Sequence, residues 1–369
     1  MRAQDLALQR DKYKHLSDEQ WRWFLQQVDG RERTADKLPT FAAIEDWWYP
    51  VRLSCEQCSS EETARYKASL VQGERMVDLT GGYGVDTYFL SEHFAHADYV
   101  EQNSELCRIA THNFASKSMA IHNATAEDFL LSAGQYDLIF LDPARRDSHG
   151  GKVFRLEDCT PNVAELLPTL LGHLAPGGRI LLKLSPMLDL TQAVTALAAV
   201  SWDVNVVAVK NEVKEVLLLS GRTGQITAIE LSKKSQAFTF TREEEQECPS
   251  SFHLSPFTFL YEPSASILKA GAYKLVAQRF GVRKLDANTH LYASDTLVPH
   301  FPGRVWRITE KQSDKQANVL TRNYPLTPEQ LKKKLHLRDG GTAFVIGCRV
   351  AGKPTLFFAE RVEDVHPES

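Results

Sequence analysis

The sequence predicts an α/β fold built on an open, largely parallel, Rossmann-like sheet, and three observations predict it. Between residues 75 and 220, short apolar runs alternate with helical stretches at regular spacing, the pattern of strands joined by crossover helices. The first run opens into the glycine-rich turn Leu79-Thr80-Gly81-Gly82-Tyr83-Gly84 and then a helix, the place where such sheets meet a ligand. The last two runs are joined by a link around Asn211 that is too short for a parallel crossover. They are therefore expected to pair antiparallel at one edge, which makes seven strands in all.

Residues 1–74 read as helical. Ser17-Asp18-Glu19-Gln20 supplies an N-cap and acidic first turn ahead of Trp21, Phe24, Leu25 and Val28 at helical spacing. An aromatic-rich stretch over 41–49 is stopped by Pro50. A further helix is expected over 59–70, with Glu61 and Glu62 suiting its first turn. Strands follow at 75–79, 98–100, 118–121, 137–141, 179–184, 203–209 and 215–220, with helices near 84–92, 104–116, 126–132, 158–173 and 189–199 between them. The polar segment 231–250 reads as a linker. Beyond it come a helix over about 264–280, strands at 304–309, 342–350 and 355–359, and a helix over 327–335 announced by Thr327-Pro328-Glu329. The expected domains are a helical region 1–74, a core 75–230, and two small α+β segments, 250–297 and 298–369.

Composition narrows the function classes. With 43% hydrophobic and 24% charged residues in 369, the chain is neither disordered nor a small stapled domain. Six cysteines are too sparse for a disulfide scaffold. Charged residues interrupt every apolar run near the start, and no run is long enough to span a bilayer, so a cytoplasmic protein is expected. The net charge of −4 is uneven: −9 over 1–230 and +5 beyond, with 16 basic against 7 acidic residues in 249–353. A basic module joined to an acidic one suits a polyanionic partner.

The glycine turn is not Gly-x-Gly-x-x-Gly, which disfavours a dinucleotide, and no Lys-Ser/Thr follows as a phosphate loop requires. Asp78 ends the first strand. Glu101 ends the second, about 20 residues past the turn, where a carboxylate usually holds a ribose diol. The fourth strand ends in Leu141-Asp142-Pro143-Ala144-Arg145-Arg146, a polar cluster at the same sheet edge. Three polar strand ends at one edge point to a nucleoside-like ligand.

These residues resemble the class I S-adenosylmethionine-dependent methyltransferases over roughly 75–220. The resemblance implies S-adenosylmethionine as cofactor, with Asp78, Thr80, Gly81, Gly82 and Gly84 around its methionine and ribose. Glu101 would lie on the ribose hydroxyls, Gln102 beside the adenine, and Asp142 near the transferred methyl. Thr125 stands where many members carry an acidic residue toward the adenine amino group. The whole chain is similar to bacterial methyltransferases that end in a ferredoxin-like segment and a THUMP-like domain. That likeness is carried by Tyr261-Glu262-Pro263-Ser264-Ala265-Ser266-Ile267-Leu268-Lys269-Ala270-Gly271 and Leu337-Arg338-Asp339-Gly340-Gly341-Thr342-Ala343. It implies structured RNA, ribosomal or transfer RNA, as partner.

Asp142-Pro143-Ala144-Arg145 is similar to the Asp-Pro-Pro-aromatic motif of enzymes that methylate exocyclic amino groups, with Ala144 and Arg145 as departures. The motif implies Asp142 and a backbone carbonyl as acceptors for the amino hydrogens, while Arg145 could stack on the base or contact a phosphate. The order Lys67, Asp142, Lys183, Glu215 looks like the tetrad of ribose 2′-O-methyltransferases, in which Lys183 would help deprotonate a hydroxyl. Carbon methylation by the usual covalent route needs a cysteine at this edge, and strand five ends Lys183-Leu184-Ser185-Pro186 without one. Two other readings stand beside RNA methylation: a degenerate core that only binds RNA, and a methyltransferase acting on a protein or small molecule.

The loop 150–158 follows the active edge and suits a lid or a target-recognition loop. Gln57, Ser59 and Ser60 precede the helix leading into strand one and could fold over the cofactor. Cys55-Glu56-Gln57-Cys58 has no second cysteine pair and reads as ordinary thiols, and no metal site is expected. Lys332-Lys333-Lys334 with Lys315, Arg322 and Arg338 makes the best polyanion patch.

Overall fold

Helices lead into the sheet as the caps predict. The computed structural model of the chain describes residues 3–145, 156–221, 223–232, 236–252, 256–310 and 315–363. Five helices come first: α1 (Ala3–Ala7), α2 (Asp18–Thr34), α3 (Pro39–Ala43), α4 (Arg52–Gln57) and α5 (Glu61–Ser69). The Ser17 hydroxyl accepts from Gln20 N at the start of α2, and the Gln20 side chain returns the bond, a complete capping box. Ser60 caps α5 with its hydroxyl alone, which accepts from Thr63 N.

The chain divides into two compact units, Met1–Trp202 with Leu217–Arg222, and Asp203–Val216 with Thr223–Ser369. The first unit holds the strands β1 (Gly73–Asp78), β2 (Phe94–Glu101), β3 (Met119–Asn123) and β4 (Tyr136–Leu141). A short pair, β5 (Ala144–Arg145) and β6 (Cys159–Thr160), and the longer β7 (Leu174–Leu184) follow. The helices α6 (Val85–Leu90), α7 (Ser104–Asn113), α8 (Ala126–Leu130), α9 (Val163–Gly172) and α10 (Leu190–Ala196) alternate with them. Strand order is β7-β4-β1-β2-β3, and β1–β2, β1–β4, β2–β3 and β4–β7 pair parallel. Leu138–Leu141 and Ile180–Leu182 are buried without a break, as strands covered on both faces must be. The carboxyl ends of β1, β2, β4 and β7 therefore share one edge.

In the second unit β8 (Trp202–Val209) turns through Lys210 and Asn211, both at positive φ, into β9 (Glu212–Ser220), whose last residues return to the first unit beside β7. That two-residue link is the hairpin turn the short spacing requires. The pair is not at the edge, however. β10 (Ile226–Leu231) adds parallel to β8, and β11 (Gln236–Phe240) adds antiparallel to β10. The stretch expected as a linker is thus largely ordered structure, β11 followed by α11 (Arg242–Glu247) with its own Thr241–Glu244 capping box.

The expected helix over 264–280 is two, α12 (Ala265–Ala270) and α13 (Tyr273–Phe280), broken at Gly271, whose φ of 85° closes the first. A seven-stranded sheet completes this unit: β12 (Phe259–Pro263), β13 (Arg283–Asp286), β14 (Thr289–Ser294), β15 (Gly303–Thr309), β16 (Asn318–Arg322), β17 (Ala343–Val350) and β18 (Lys353–Arg361), in the order β13-β14-β12-β15-β18-β17-β16. The helix α14 (Pro328–Lys334) lies against β16, and its Leu331 packs in a core with Ala317 and Val345. No helix among the described residues is long and apolar enough to cross a membrane.

Candidate active site

A cavity of about 300 Å³ opens at the shared carboxyl edge of β1, β2, β4 and β7. Its floor is the glycine turn. Gly81 N donates to Val100 O at 2.9 Å, and a Cβ on Gly81 would lie 2.2 Å from the Tyr99 ring, so only glycine lets β1 turn this close to β2. Tyr99 closes the arrangement, its hydroxyl donating to Gly82 O at 2.6 Å. Gly82 has a φ of 55° and open space where a side chain would begin, with nothing nearer than Thr80 O at 3.7 Å.

Asp78 is buried beneath the turn and organises it. Its Oδ1 accepts from Thr80 N at 2.9 Å, and its Oδ2 accepts from the Thr87 hydroxyl at 2.5 Å. Burial pushes the carboxyl up to about 7, against the lowering effect of the Thr87 and Thr80 bonds. The sequence places Asp78 at the strand end; the structure shows it among the residues lining the cavity, with its carboxylate bonded to the turn through Thr80 and to α6 through Thr87. Thr80 in turn accepts from Asp142 N at 2.6 Å, which ties the ends of β1 and β4 together.

Glu101 accepts from Gly82 N with Oε2 at 2.9 Å and from Asn103 N with Oε1 at 2.7 Å. Gln102 lines the cavity beside it. Thr125 also lines it, but its hydroxyl is the N-cap of α8, accepting from Asp128 N at 3.1 Å and donating to Asp128 Oδ2 at 2.9 Å. Glu127, two residues on, also lines the cavity. Pro143 follows Asp142 in the turn between β4 and β5, and Arg145 pairs through its backbone with Cys159 in β6. Residues 146–155, including most of the expected lid loop, lie outside the described residues.

A chain of alternating charges reaches the cavity from the interior. Lys183, at the end of β7, approaches Asp142 Oδ2 at 2.6 Å and Asp86 Oδ2 at 3.4 Å. The fully buried Lys67 lies 3.2 Å from Asp86 Oδ1, and the Ser59 hydroxyl donates to Asp86 Oδ2 at 2.8 Å. Burial alone would raise Asp86, but Lys67 and Lys183 together hold its carboxyl below the usual range. Of the expected order Lys67, Asp142, Lys183, Glu215, the structure brings Asp142 and Lys183 into direct contact and joins Lys67 to them through Asp86. Glu215 is buried in β9 and belongs to the second unit. Asp86 is a residue that sequence reasoning missed, and its one signal is a charged residue in the first turn of a helix whose neighbours Val85, Phe89 and Leu90 are apolar.

The segment around α4 forms the remaining wall through Ser54, Gln57, Cys58 and Ser59. Lys37 fixes it, its ammonium donating to Cys55 O at 3.2 Å and Glu56 O at 3.0 Å. Burial pushes the Cys55 thiol up to about 12 and raises Cys58 as well, so neither is a reactive thiolate. No cluster of potential metal ligands occurs among the described residues.

The second unit carries the basic residues. Lys332 pairs with Glu329 at 3.0 Å and with Asp339 at 2.7 Å, so it is neutralised locally. Lys333, Lys334, Lys315 and Arg338 are exposed, and Arg338 N donates to Lys315 O at 2.9 Å. Arg322 ion-pairs with the buried Glu262, which Arg304 also holds. The expected patch therefore reduces to Lys315, Lys333, Lys334 and Arg338.

Residues 259–302 match the family of a ferredoxin-like domain, and residues 303–361 match a THUMP domain-like family. β12 and β15 pair across that boundary, so the two matches share one sheet. No curated protein matches the chain at a significant level. Among solved structures, the "putative methyltransferase from Porphyromonas gingivalis W83" aligns at 32% identity over 94% of this chain and 92% of that one, with a TM-score of 0.84. Precorrin 8W decarboxylase from Methanobacterium thermoautotrophicum (17% identity, 45% of this chain and 92% of that one, TM-score 0.35) is a partial likeness. So is precorrin-6y C5,15-methyltransferase from Geobacter metallireducens GS-15 (18%, 45% and 89%, TM-score 0.34), and neither bears on function. The extent and identity of the first match, with the two C-terminal family matches, settle the family: the chain belongs with the Porphyromonas gingivalis protein among the class I S-adenosylmethionine-dependent methyltransferases that carry ferredoxin-like and THUMP-like C-terminal domains.

Proposed function

We propose that the cavity binds S-adenosylmethionine and that the chain methylates a base amino group of structured RNA, ribosomal or transfer RNA. The observation that carries the reading is the convergence on one cavity of the glycine turn, the Glu101 carboxylate and the Asp142–Lys183 pair. The residues fit the cofactor. The open space above Gly82 admits a ligand against bare backbone, and Glu101 stands where a ribose diol is held. Gln102 and Thr125 line the adenine end, and Asp78 holds the loop in shape from beneath.

When bound, S-adenosylmethionine supplies a methyl group already made electrophilic by its sulfonium, so the protein's part is placement. The Asp142 side chain is 41% exposed. It accepts a hydrogen from the acceptor amino group, orients the nitrogen lone pair and takes the proton the nitrogen gives up. The carbonyl of Pro143 is the second acceptor, and Arg145 meets the base face or a phosphate. Lys183 fixes the Asp142 carboxylate by donating to it. A second reading, a ribose 2′-hydroxyl acceptor with Lys183 as base, draws on the same Asp142–Lys183 contact. Against it, an ammonium held at 2.6 and 3.4 Å by two carboxylates offers no lone pair.

RNA as substrate is supported by the THUMP domain-like match and by the exposed Lys315, Lys333, Lys334 and Arg338. Calorimetric titration of S-adenosylmethionine into the wild type and Glu101→Ala tests the site. Micromolar binding weakened tenfold or more, about 1.4 kcal/mol, is the expected result. Equal affinity in the two proteins removes Glu101 from the cofactor. Transfer of labelled methyl into an RNA fraction, against a protein fraction, then tests the substrate class.

A further inference from the structure

We infer that Asp86 is a positioning residue for Lys183, and that Ser59 and Lys67 are the buried anchor that holds it; this rests on the reading of Asp142 as the acceptor-orienting group. Four charges alternate from the protein interior to the cavity wall. Lys67 is fully buried, Asp86 is 8% exposed, the Lys183 side chain is 12% exposed and that of Asp142 is 41% exposed. Each link is short: 3.2 Å from Lys67 to Asp86, 3.4 Å from Asp86 to Lys183, and 2.6 Å from Lys183 to Asp142. Burying a lysine completely is costly unless a carboxylate meets it, and Asp86 is such a partner here.

The geometry gives Asp86 two tasks on two oxygens. Oδ1 faces Lys67, while Oδ2 takes the Ser59 hydroxyl and the Lys183 ammonium. Lys183 sits on a strand end with a long, flexible stem, and a lysine bound only to the half-exposed Asp142 would sample many rotamers. The inner contact to Asp86 restricts it to the one that meets Asp142. Ser59 and Lys67 come from the segment that precedes β1, so the N-terminal helices contribute the anchor of the acceptor end and are part of the site.

Asp86→Asn alone would take the carboxylate at 3.2 Å from the buried Lys67 and could unfold the protein, so the test uses the double variant Lys67→Met/Asp86→Asn, which removes both charges of that contact together. A short pulse of acetic anhydride followed by peptide mass spectrometry reads the acylation rate of each lysine. Lys183 in the double variant is expected to acylate at least fivefold faster than in the wild type. Lys117, a half-buried lysine of the same unit, should be unchanged and so reports whether the fold has loosened. An unchanged Lys183 rate, or a rise matched by Lys117, overturns the inference. Titration of S-adenosylhomocysteine into the wild type is run beside it, and its failure would strike the cofactor reading while leaving the lysine result to stand or fall alone.

Discussion

Asp78→Asn should remove a pH dependence from folding, because the wild-type carboxyl is buried under the glycine turn and pushed up to about 7 from an ordinary 3.8. The difference, roughly three pH units at 1.36 kcal/mol each, is about 4 kcal/mol. The sign follows from which state binds the proton. Below about pH 4 the carboxyl is protonated in both states and contributes no slope. Between 4 and 7 the unfolded chain releases the proton while the folded one keeps it, so stability falls as pH rises, and above 7 the loss is complete. Asparagine keeps an oxygen for the Thr80 amide and cannot ionise, and it loses only the acceptor for the Thr87 hydroxyl. Urea unfolding followed at pH 5 and pH 8 checks this through the transition of the first unit. The wild type should lose stability relative to Asp78→Asn between the two. Parallel loss in both proteins would refute the claim that desolvation dominates at Asp78.

Gly81→Ala must displace the buried Tyr99 ring, 2.2 Å from the new Cβ, and should cost about 1–3 kcal/mol with loss of S-adenosylmethionine binding, checked by unfolding and calorimetry. Lys67→Met leaves Asp86 buried beside Lys183 alone and should cost about 3–5 kcal/mol, while adding Asp86→Asn should recover a substantial part of that in the same denaturant assay. Charge reversal at Lys333, Lys334 and Arg338 should weaken binding to transfer RNA and flatten its salt dependence in a filter-binding titration; Lys332→Glu alone should do less, because Glu329 and Asp339 already neutralise it.

What was legible in the sequence, and what was not, divides along a physical line. Local patterning carries the alternation of strand and helix, the helix starts at Ser17 and Thr327, and the turn at Gly81 and Gly82, because each depends on residues close together in the chain. β10 and β11 are short and mostly buried, flanked by polar residues that read as a linker, and β10 takes its place from β8, 22 residues earlier in the chain, while β11 follows by pairing with β10. The break at Gly271 was hidden because a single glycine inside a helical pattern is tolerated and does not by itself mark an end. At the site, the strand ends Glu101, Asp142 and Lys183 were readable because topology alone places them at one edge.

Asp86 was not readable, and the reason bears on how such sites are found. A carboxylate in the first turn of α6 has an ordinary explanation in the helix dipole, and its apolar neighbours are a weak sign against that. What gives it meaning is that Ser59, Lys67 and Lys183, which are 27, 19 and 97 positions away, all turn toward it. An order of charged strand residues does not register Asp86, because it sits in the first turn of a helix rather than at a strand end. A buried lysine is the better signal. Lys67 lies within a helix face with Thr63, Ala64 and Ala68, all buried, and a cation on that face demands a partner. Asking which carboxylate could meet Lys67 leads to Asp86, and from Asp86 to the acceptor end of the site.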